Sequence, residues 1–375
     1  MRVLNQRAVL DRLRRLGAAT RPQIAKDTGL SKPTVGQALV DLERHALVRP
    51  IGRTTAGPGR SAVVYEPNPA AGYVLGVDIG RERIRAAVAD LGGSVVARVD
   101  ERSRARSAAG LVRTVTELAS RTVADAGLAL ADVVVKVIGS PGVIDQRSRV
   151  VRHAPNLPGW ESSGVLDGLE TSLGPVMVVE NDANLAALGE HVYGAAQGAR
   201  VFVCATVGTG VGMGIVVDGV LFRGAHGAAG EVGFLPFGKS ATDVQRGQFE
   251  DAAAAGSVVA LARERGLAAR SAREVFSAAR SGDVAALEVV RVEAERLAFL
   301  VASVSAVIDP ELVVLGGGVG SNVDLLLSPL EAALRTMTPL APPIVAGSLG
   351  DGAVLSGAIA MGLEAARELV FEVTL

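Results

Sequence analysis

Four polar or glycine-rich turns, each at the end of an apolar run, constrain this chain more than anything else in it: Asp78-Ile79-Gly80, Glu180-Asn181-Asp182, Gly208-Thr209-Gly210 and Gly316-Gly317-Gly318. Apolar runs that stop at such turns read as strands of a buried sheet. Residues 73 to 92 (YVLGVDIGRERIRAAVADLG) read as a strand, a turn and a returning strand, with VVARVDERS as a third. A helix is expected from Gly110 to about Gly127, then strands in VVVKVIGSPGVID and PVMVVEND. Residues 201 to 222 read as a second hairpin around Gly208, Gly210 and Gly212, and DPELVVLGGGVG as a buried strand ending in three glycines. Glycine at a strand end lets backbone N–H groups approach an anion, but tight hairpins also use it, so each cluster alone leaves both readings open.

With 375 residues and 49% hydrophobic content the chain has material for two or three domains. A single cysteine, Cys204, excludes an internal disulfide and a zinc site built from several thiolates, and fits a reducing compartment. The start, MRVLNQRAVLDRLRRLG, interleaves arginine with apolar residues and has no continuous apolar core of a signal peptide; no later run is long enough to span a bilayer. The expectation is a cytoplasmic protein without a membrane partner.

Charge is segregated. Residues 1 to 66 carry 12 Lys and Arg against 5 Asp and Glu, whereas the whole chain has a net charge of -1. A basic front end on an acidic body suggests a polyanionic partner for the front end alone. Only 4 of the 38 cations are lysines, so arginine abundance is partly a habit of the whole chain and is not itself evidence for nucleic acid.

The first segment reads as three helices. Leu4, Ala8, Leu10, Leu13 and Leu16 recur at helical spacing up to Gly17; Thr20 and Pro22 restart the chain, with Ile24 and Ala25 facing inward; Gly29 reverses it. Ser31 caps SKPTVGQALVDLERHALV, with Val35, Leu39, Leu42 and Leu47 on one face. Small Ala25 at a close crossing and Gly29 in the turn are the pattern of a helix-turn-helix. Its second helix would point Ser31, Lys32, Thr34 and Gln37 at base edges and phosphates. Residues 47 to 65 read as a winged domain's hairpin with Arg53 and Arg60 near its tip, where an arginine can enter a minor groove, or as a linker with two solvated arginines. EPNPAAG (66 to 72) reads as a junction, which gives a DNA-binding domain at 1–66, a linker at 67–72 and a two-lobed domain at 73–375.

Taken in order, SPGVID, APNLPGW, ENDANLAALGE, GTGVGMGIVVDGVLFRGAHGAAGEVG and DPELVVLGGGV make residues 73 to 365 resemble the ROK family of repressors, unknown reading frames and sugar kinases. The resemblance implies an N-terminal winged helix-turn-helix followed by an α/β two-lobed actin-like ATPase fold of the sugar-kinase, ribonuclease H-like type. In family kinases the aspartate matching Asp182 takes the proton from the attacked sugar hydroxyl and the asparagine matching Asn181 binds sugar hydroxyls. Glutamates matching Glu231 and Glu250 are further hydroxyl acceptors. A carboxylate can take a proton or a hydrogen bond, and an amide offers donor and acceptor together. Asp182 could also simply cap a helix starting near Asn184.

The chain departs from the family's kinases at several points. Phe234 stands where they have histidine, with His226 nearby as a substitute donor or a solvated side chain; Ala241 to Gln248 replaces their cysteine-rich zinc loop, so no metal is expected. Arg81-Glu82-Arg83 follows the first Asp-x-Gly where they have Gly-Thr, crowding the phosphate hairpin; ATP is therefore not expected as a cofactor, nor kinase activity. The expected protein is a ROK transcriptional regulator, a repressor, that binds double-stranded operator DNA as a homodimer or homotetramer and senses a sugar or sugar derivative. A bifunctional kinase and a regulator that no longer binds sugar are the alternatives. The apolar run LAFLVASVSAVI (297 to 308) is expected in a lobe core.

Overall fold

The computed structural model describes residues 1–54, 61–103, 105–145, 150–154, 157, 159–238 and 247–374. Its first element, α1 (Arg2–Leu16), ends at Gly17; a two-residue strand β1 (Ala19–Thr20) leads into α2 (Arg21–Thr28) and α3 (Lys32–Arg44). Thr20 and Gln23 close a capping box on α2, Gly29 takes the left-handed conformation that ends it, and Ser31 Oγ accepts the Thr34 amide at the start of α3. α3 is shorter than its apolar spacing suggests. It stops at Arg44, Ala46 takes a positive φ, and Leu47 enters β2 (Val48–Thr54), which pairs with β3 (Ala62–Pro67). The sheet order is β1-β3-β2. Val9, Leu10, Leu13, Ile24, Val35 and Leu42 form the core of this head, each contributing about 1.5–3 kcal/mol by burial. Residues 55 to 60, the hairpin tip with Arg60, lie outside the described residues.

The 67–72 segment, read as a linker, is packed. Asn68 donates its amide to Leu47 O, and Pro69 O accepts the Leu91 amide at 3.0 Å.

Lobe one follows: β4 (Tyr73–Ile79), β5 (Arg83–Asp90), β6 (Val95–Arg102), α4 (Ala108–Asp125), β7 (Val133–Ser140), β8 (Val143–Asp145), β9 (Val150–Arg152), α5 (Val165–Leu173) and β10 (Met177–Asn181). Its mixed sheet runs β10-β7-β4-β5-β6, with β7 parallel to both β4 and β10. Helix α6 (Asp182–Tyr193) crosses to lobe two. That lobe comprises β11 (Val201–Val207), β12 (Val211–Val217), β13 (Val220–Leu221), α7 (Gln248–Ala253), α8 (Ala255–Glu264), α9 (Ala272–Arg280), α10 (Val284–Ile308), β14 (Leu312–Gly316), α11 (Gly317–Gly320), α12 (Val323–Met337) and β15 (Ile344–Ala346). Its sheet runs β13-β12-β11-β14-β15. Leu297, Leu300, Val301 and Val304 of α10 lie in its core, as their run predicts, while Val307 is exposed. The chain ends in α13 (Ala353–Thr374).

Two helices join the lobes. α6 and α13 cross where Gly189 faces the Ala353 carbonyl and Gly357 faces the Leu185 carbonyl, so closely that a Cβ at either glycine would collide with backbone. Buried Glu190 fixes the crossing from α6: its carboxylate accepts the amides of Ala195, Ser348 and Leu349 and the Ser348 hydroxyl. α13 then runs along lobe one, where Leu355, Ala358 and Ile359 pack on Gly76, and continues to the head. There Phe371 is buried in the head's core, Arg7 pairs with Glu368, and Arg14 Nη2 donates to Arg367 O.

Candidate functional site

The turns singled out in the sequence converge on one cavity of about 240 Å³ between the lobes. Gly80 and Arg81 reach it from lobe one, Asn181 and Asp182 from the β10–α6 junction, and Thr206, Gly208, Thr209, Gly210 and Gly317 from lobe two; Glu231, Phe234 and Glu250 complete one wall. Gly212 also lines it, but Gly212 and Gly214 principally let α6 lie against β12, since Cβ atoms there would press on Ala183 and Ala187.

Each polar residue is placed by a local cause. β10 delivers Asn181 in extended backbone as the N-cap of α6, its Oδ1 accepting the Asn184 amide at 3.1 Å while its Nδ2 donates to Gly142 O at 3.1 Å. The cap is thus Asn181, and Asp182 is the first residue of the helix, beginning at 182 rather than 184. Asp182 Oδ1 accepts its neighbour's amide from Ala183, and burial pushes its carboxyl above the usual range. Asn181 keeps less free hydrogen-bonding capacity than its sequence suggests, because one end of its amide holds the helix and the other holds the 140–142 loop. Below the site, buried Glu180 accepts from Asn184 Nδ2 at 2.9 Å and from Arg223 Nε at 2.7 Å.

Glu231 follows Gly230, whose positive φ and contact with the Met213 carbonyl leave no room for a side chain. Its carboxyl is pushed up to about 7, by burial first and then by the neighbouring charges of Asp182 and Glu250. Glu250 has a structural duty: its Oε2 accepts the Val211 amide at 2.9 Å, tying α7 to the Gly208–Gly210 hairpin. Phe234 stands at the rim, its ring edge-on to His153 at 5.3 Å. His153 also lines the cavity, unlike His226, which is exposed and is not among the lining residues. Adjacency to APNLPGW is the signal that could have found His153. Within that motif Trp160 is buried and donates from Nε1 to Ser140 Oγ at 2.6 Å.

The first hairpin differs from its reading in one respect. Of Arg81, Glu82 and Arg83 only Arg81 lines the cavity, because Arg83 turns along the sheet to Asp100, at 2.6 Å, and Glu82 is exposed. The residue that alters this corner is Arg85, which the sequence reading passed over. It holds buried Asp78 at 3.0 Å and also reaches Asp100 and Asp351. Burial pushes Asp78 up to about 6, against the pull of Arg85. Its carboxylate is therefore occupied by a protein cation.

In the head, Ser31, Lys32 and Gln37 are exposed and Thr34 half-buried along the start of α3. Ser31 and Thr34 hydroxyls bond each other at 2.8 Å, and Gln37 Nε2 donates to Asp41, which Arg2 and Gln6 also hold. Arg53 is exposed on β2. Arg21 is an unforeseen member of this face: its Nε donates to Lys32 O at 2.6 Å and its guanidinium lies over Gly36, where any side chain would collide with it.

The family model for ROK matches residues 74–365. The chain belongs to the ROK family. This ROK chain is 32% identical over 278 residues to a glucokinase of Halalkalibacterium halodurans, covering 69% of this chain and 84% of that one. It is 26% identical over 365 residues to a xylose repressor of Caldicellulosiruptor bescii, covering 91% of each. A solved ROK glucokinase from Streptomyces griseus, in complex with glucose and AMPPNP, superposes with a TM-score of 0.66 at 30% identity, over 77% of this chain and 99% of its own. A solved ROK transcriptional regulator, a homolog of the E. coli MLC protein, superposes with a TM-score of 0.80 at 22% identity over 100% of this chain and 98% of its own. The actin-like sugar-kinase fold with its N-terminal helical head is that of the family. Among the described residues no helix is long and apolar enough to cross a membrane, and no group of three or more metal-ligating side chains is present. Residues 241–246 of the altered zinc loop lie outside them.

Proposed function

We propose that this ROK protein is a transcriptional repressor whose head is a winged helix-turn-helix that binds operator DNA as part of a homo-oligomer, and whose interlobe cavity binds a sugar or sugar derivative. The observation that carries the proposal is the head itself: α2 and α3 meet through a Gly29 turn and leave Ser31, Lys32, Thr34 and Gln37 on an outward face flanked by Arg21 and Arg53. A recognition helix places its N-terminal residues on base edges while neighbouring arginines bind phosphates. The full-length likeness to a ROK transcriptional regulator and a xylose repressor supports the same reading.

Against a kinase stand Arg81 in the phosphate corner and Asp78 held by Arg85. Asn181, Asp182 and Glu231 still offer acceptors, and one amide donor, to a polyhydroxylated ligand. Such a ligand shifts the balance of lobe arrangements only as far as it binds one better than another.

The test is selection of binding sites from a random duplex pool, followed by release assays and thermal unfolding against a panel of sugars with ATP-Mg as a separate arm. A sugar that raises the unfolding midpoint and releases DNA, with both effects lost in Asp182→Asn, is the expected result. Sugar-dependent ATP consumption lost in the same variant would instead show a kinase. No selected site would remove the repressor.

A further inference from the structure

A second cavity, of about 650 Å³, lies where the head meets the body, away from the interlobe site. It is walled by α1 through Arg14 and Arg15, by α13 through Leu363 and Arg367, and by the end of α6 through Val192 and Tyr193. Three arginines and three acidic residues, Asp11, Glu364 and Glu368, line it, and among the described residues none of the three arginines makes a close ion pair. Arg14 donates to the Arg367 backbone carbonyl at 3.1 Å, and its nearest carboxylate contact is a long one, 3.9 Å to Asp11. Arg367 gives Nε and Nη2 to Leu91 O, at 3.2 and 2.9 Å. Among the described residues Arg15 has no ion pair. Of the acidic residues lining the cavity, Glu368 pairs with Arg7, Asp11 is shared between Arg7 and Arg14, and Glu364 is exposed on α13.

Arg14 and Arg367 are half-buried, and Arg15 is exposed on the same wall. Guanidiniums that share a cavity repel one another unless something negative sits among them, and their planar forks match a tetrahedral oxyanion. Burial holds Arg14 below the ordinary arginine range, opposed by the charge of Asp11 and aided by those of Arg367 and Arg7. Tyr193 adds a phenol to the wall, and Val192 and Leu363 add apolar surface beside the charges. The size is that of a small-molecule site.

We propose that this head–body cavity binds a phosphate monoester through Arg14, Arg15 and Arg367, with the organic part on Val192 and Leu363. Because the three cations come from both the head and the body, the bound anion clamps one to the other.

The full-length protein is titrated calorimetrically with inorganic phosphate, with a hexose 6-phosphate and with the same hexose unphosphorylated, at matched ionic strength in chloride. The expected result is saturable binding of the phosphate-bearing probes, weakened about tenfold or more in Arg15→Gln and in Arg367→Gln. Tighter binding of the ester than of inorganic phosphate assigns the site to organic phosphates; equal binding assigns it to the phosphate ion alone and overturns the assignment of the apolar wall. Arg81→Gln separates the two cavities: phosphate binding lost there but intact in Arg15→Gln and Arg367→Gln would put the anion between the lobes and overturn the proposal. So would the absence of saturable binding in the unaltered chain. Circular dichroism and the thermal midpoint of each variant show whether it is folded, and Arg15→Lys keeps the charge while removing the fork, so intermediate weakening there supports bidentate capture.

Discussion

On the proposed sugar-binding reading, Glu231 would set the pH dependence of the interlobe cavity. Its carboxyl titrates near 7, so at pH 6 it holds a proton that a ligand hydroxyl donating to it must displace. Affinity for a hydroxyl ligand is therefore expected to rise about tenfold between pH 6 and pH 8, levelling above 7, and Glu231→Gln is expected to flatten that profile; calorimetry at both pH values checks it. Glu293 illustrates the same shift without a ligand. It is buried in α10, pushed up to about 7 by burial against the pull of Arg296, and its Oε1 has no hydrogen-bond partner. The folded chain keeps a proton there that the unfolded chain releases, so this residue's contribution to stability falls as pH rises from the ordinary glutamate range through 7. Glu293→Gln is expected to add about 2 kcal/mol at pH 8 and nothing at pH 4, read by denaturant unfolding. Cys204 is inert by comparison: burial pushes its thiol up to about 12, and no thiolate chemistry is expected at neutral pH.

At the scale of elements, the crossing of α6 and α13 is held by absent side chains. Gly357→Val is expected to cost at least about 3 kcal/mol, because the new Cβ meets the Leu185 carbonyl and neither helix can move without disturbing the cavity; a lowered midpoint with weakened ligand response is the readout. Elements with local causes were legible in the sequence. The Thr20 and Ser31 caps and the Gly17 and Gly29 stops each lie within a few residues of what they control, and the β10–α6 junction announced itself by a polar knot after an apolar run; that Gln23 closes a box on Thr20 is added by the structure. What distant partners decide was not legible. Asn181 rather than Asp182 caps α6 because of backbone geometry at the strand end; Arg83 leaves the cavity for Asp100, two residues along β6 from its cross-strand partner Arg102; Glu190 binds amides 158 and 159 residues away. Arg21 over Gly36 belongs to the same class, since nothing in either residue's neighbourhood names the other.

The whole molecule is joined end to end by α13, whose last turns complete the core of the first segment. Phe371 is 3% exposed among Val9, Leu10 and Leu13, so Phe371→Ala is expected to cost about 3 kcal/mol and to split calorimetric unfolding into an early head transition and a later body transition. The helix has 22 residues, about 33 Å at 1.5 Å per residue, with one end beside the glycine crossing and the other inside the head. Its length turns angle into distance: a tilt of about 10° at the crossing carries the far end about 6 Å along its arc. On the proposed reading, two such heads on a two-fold site would have to match half-sites about 34 Å apart, and a mismatch of about 6 Å on each side would move a recognition helix out of register with its groove.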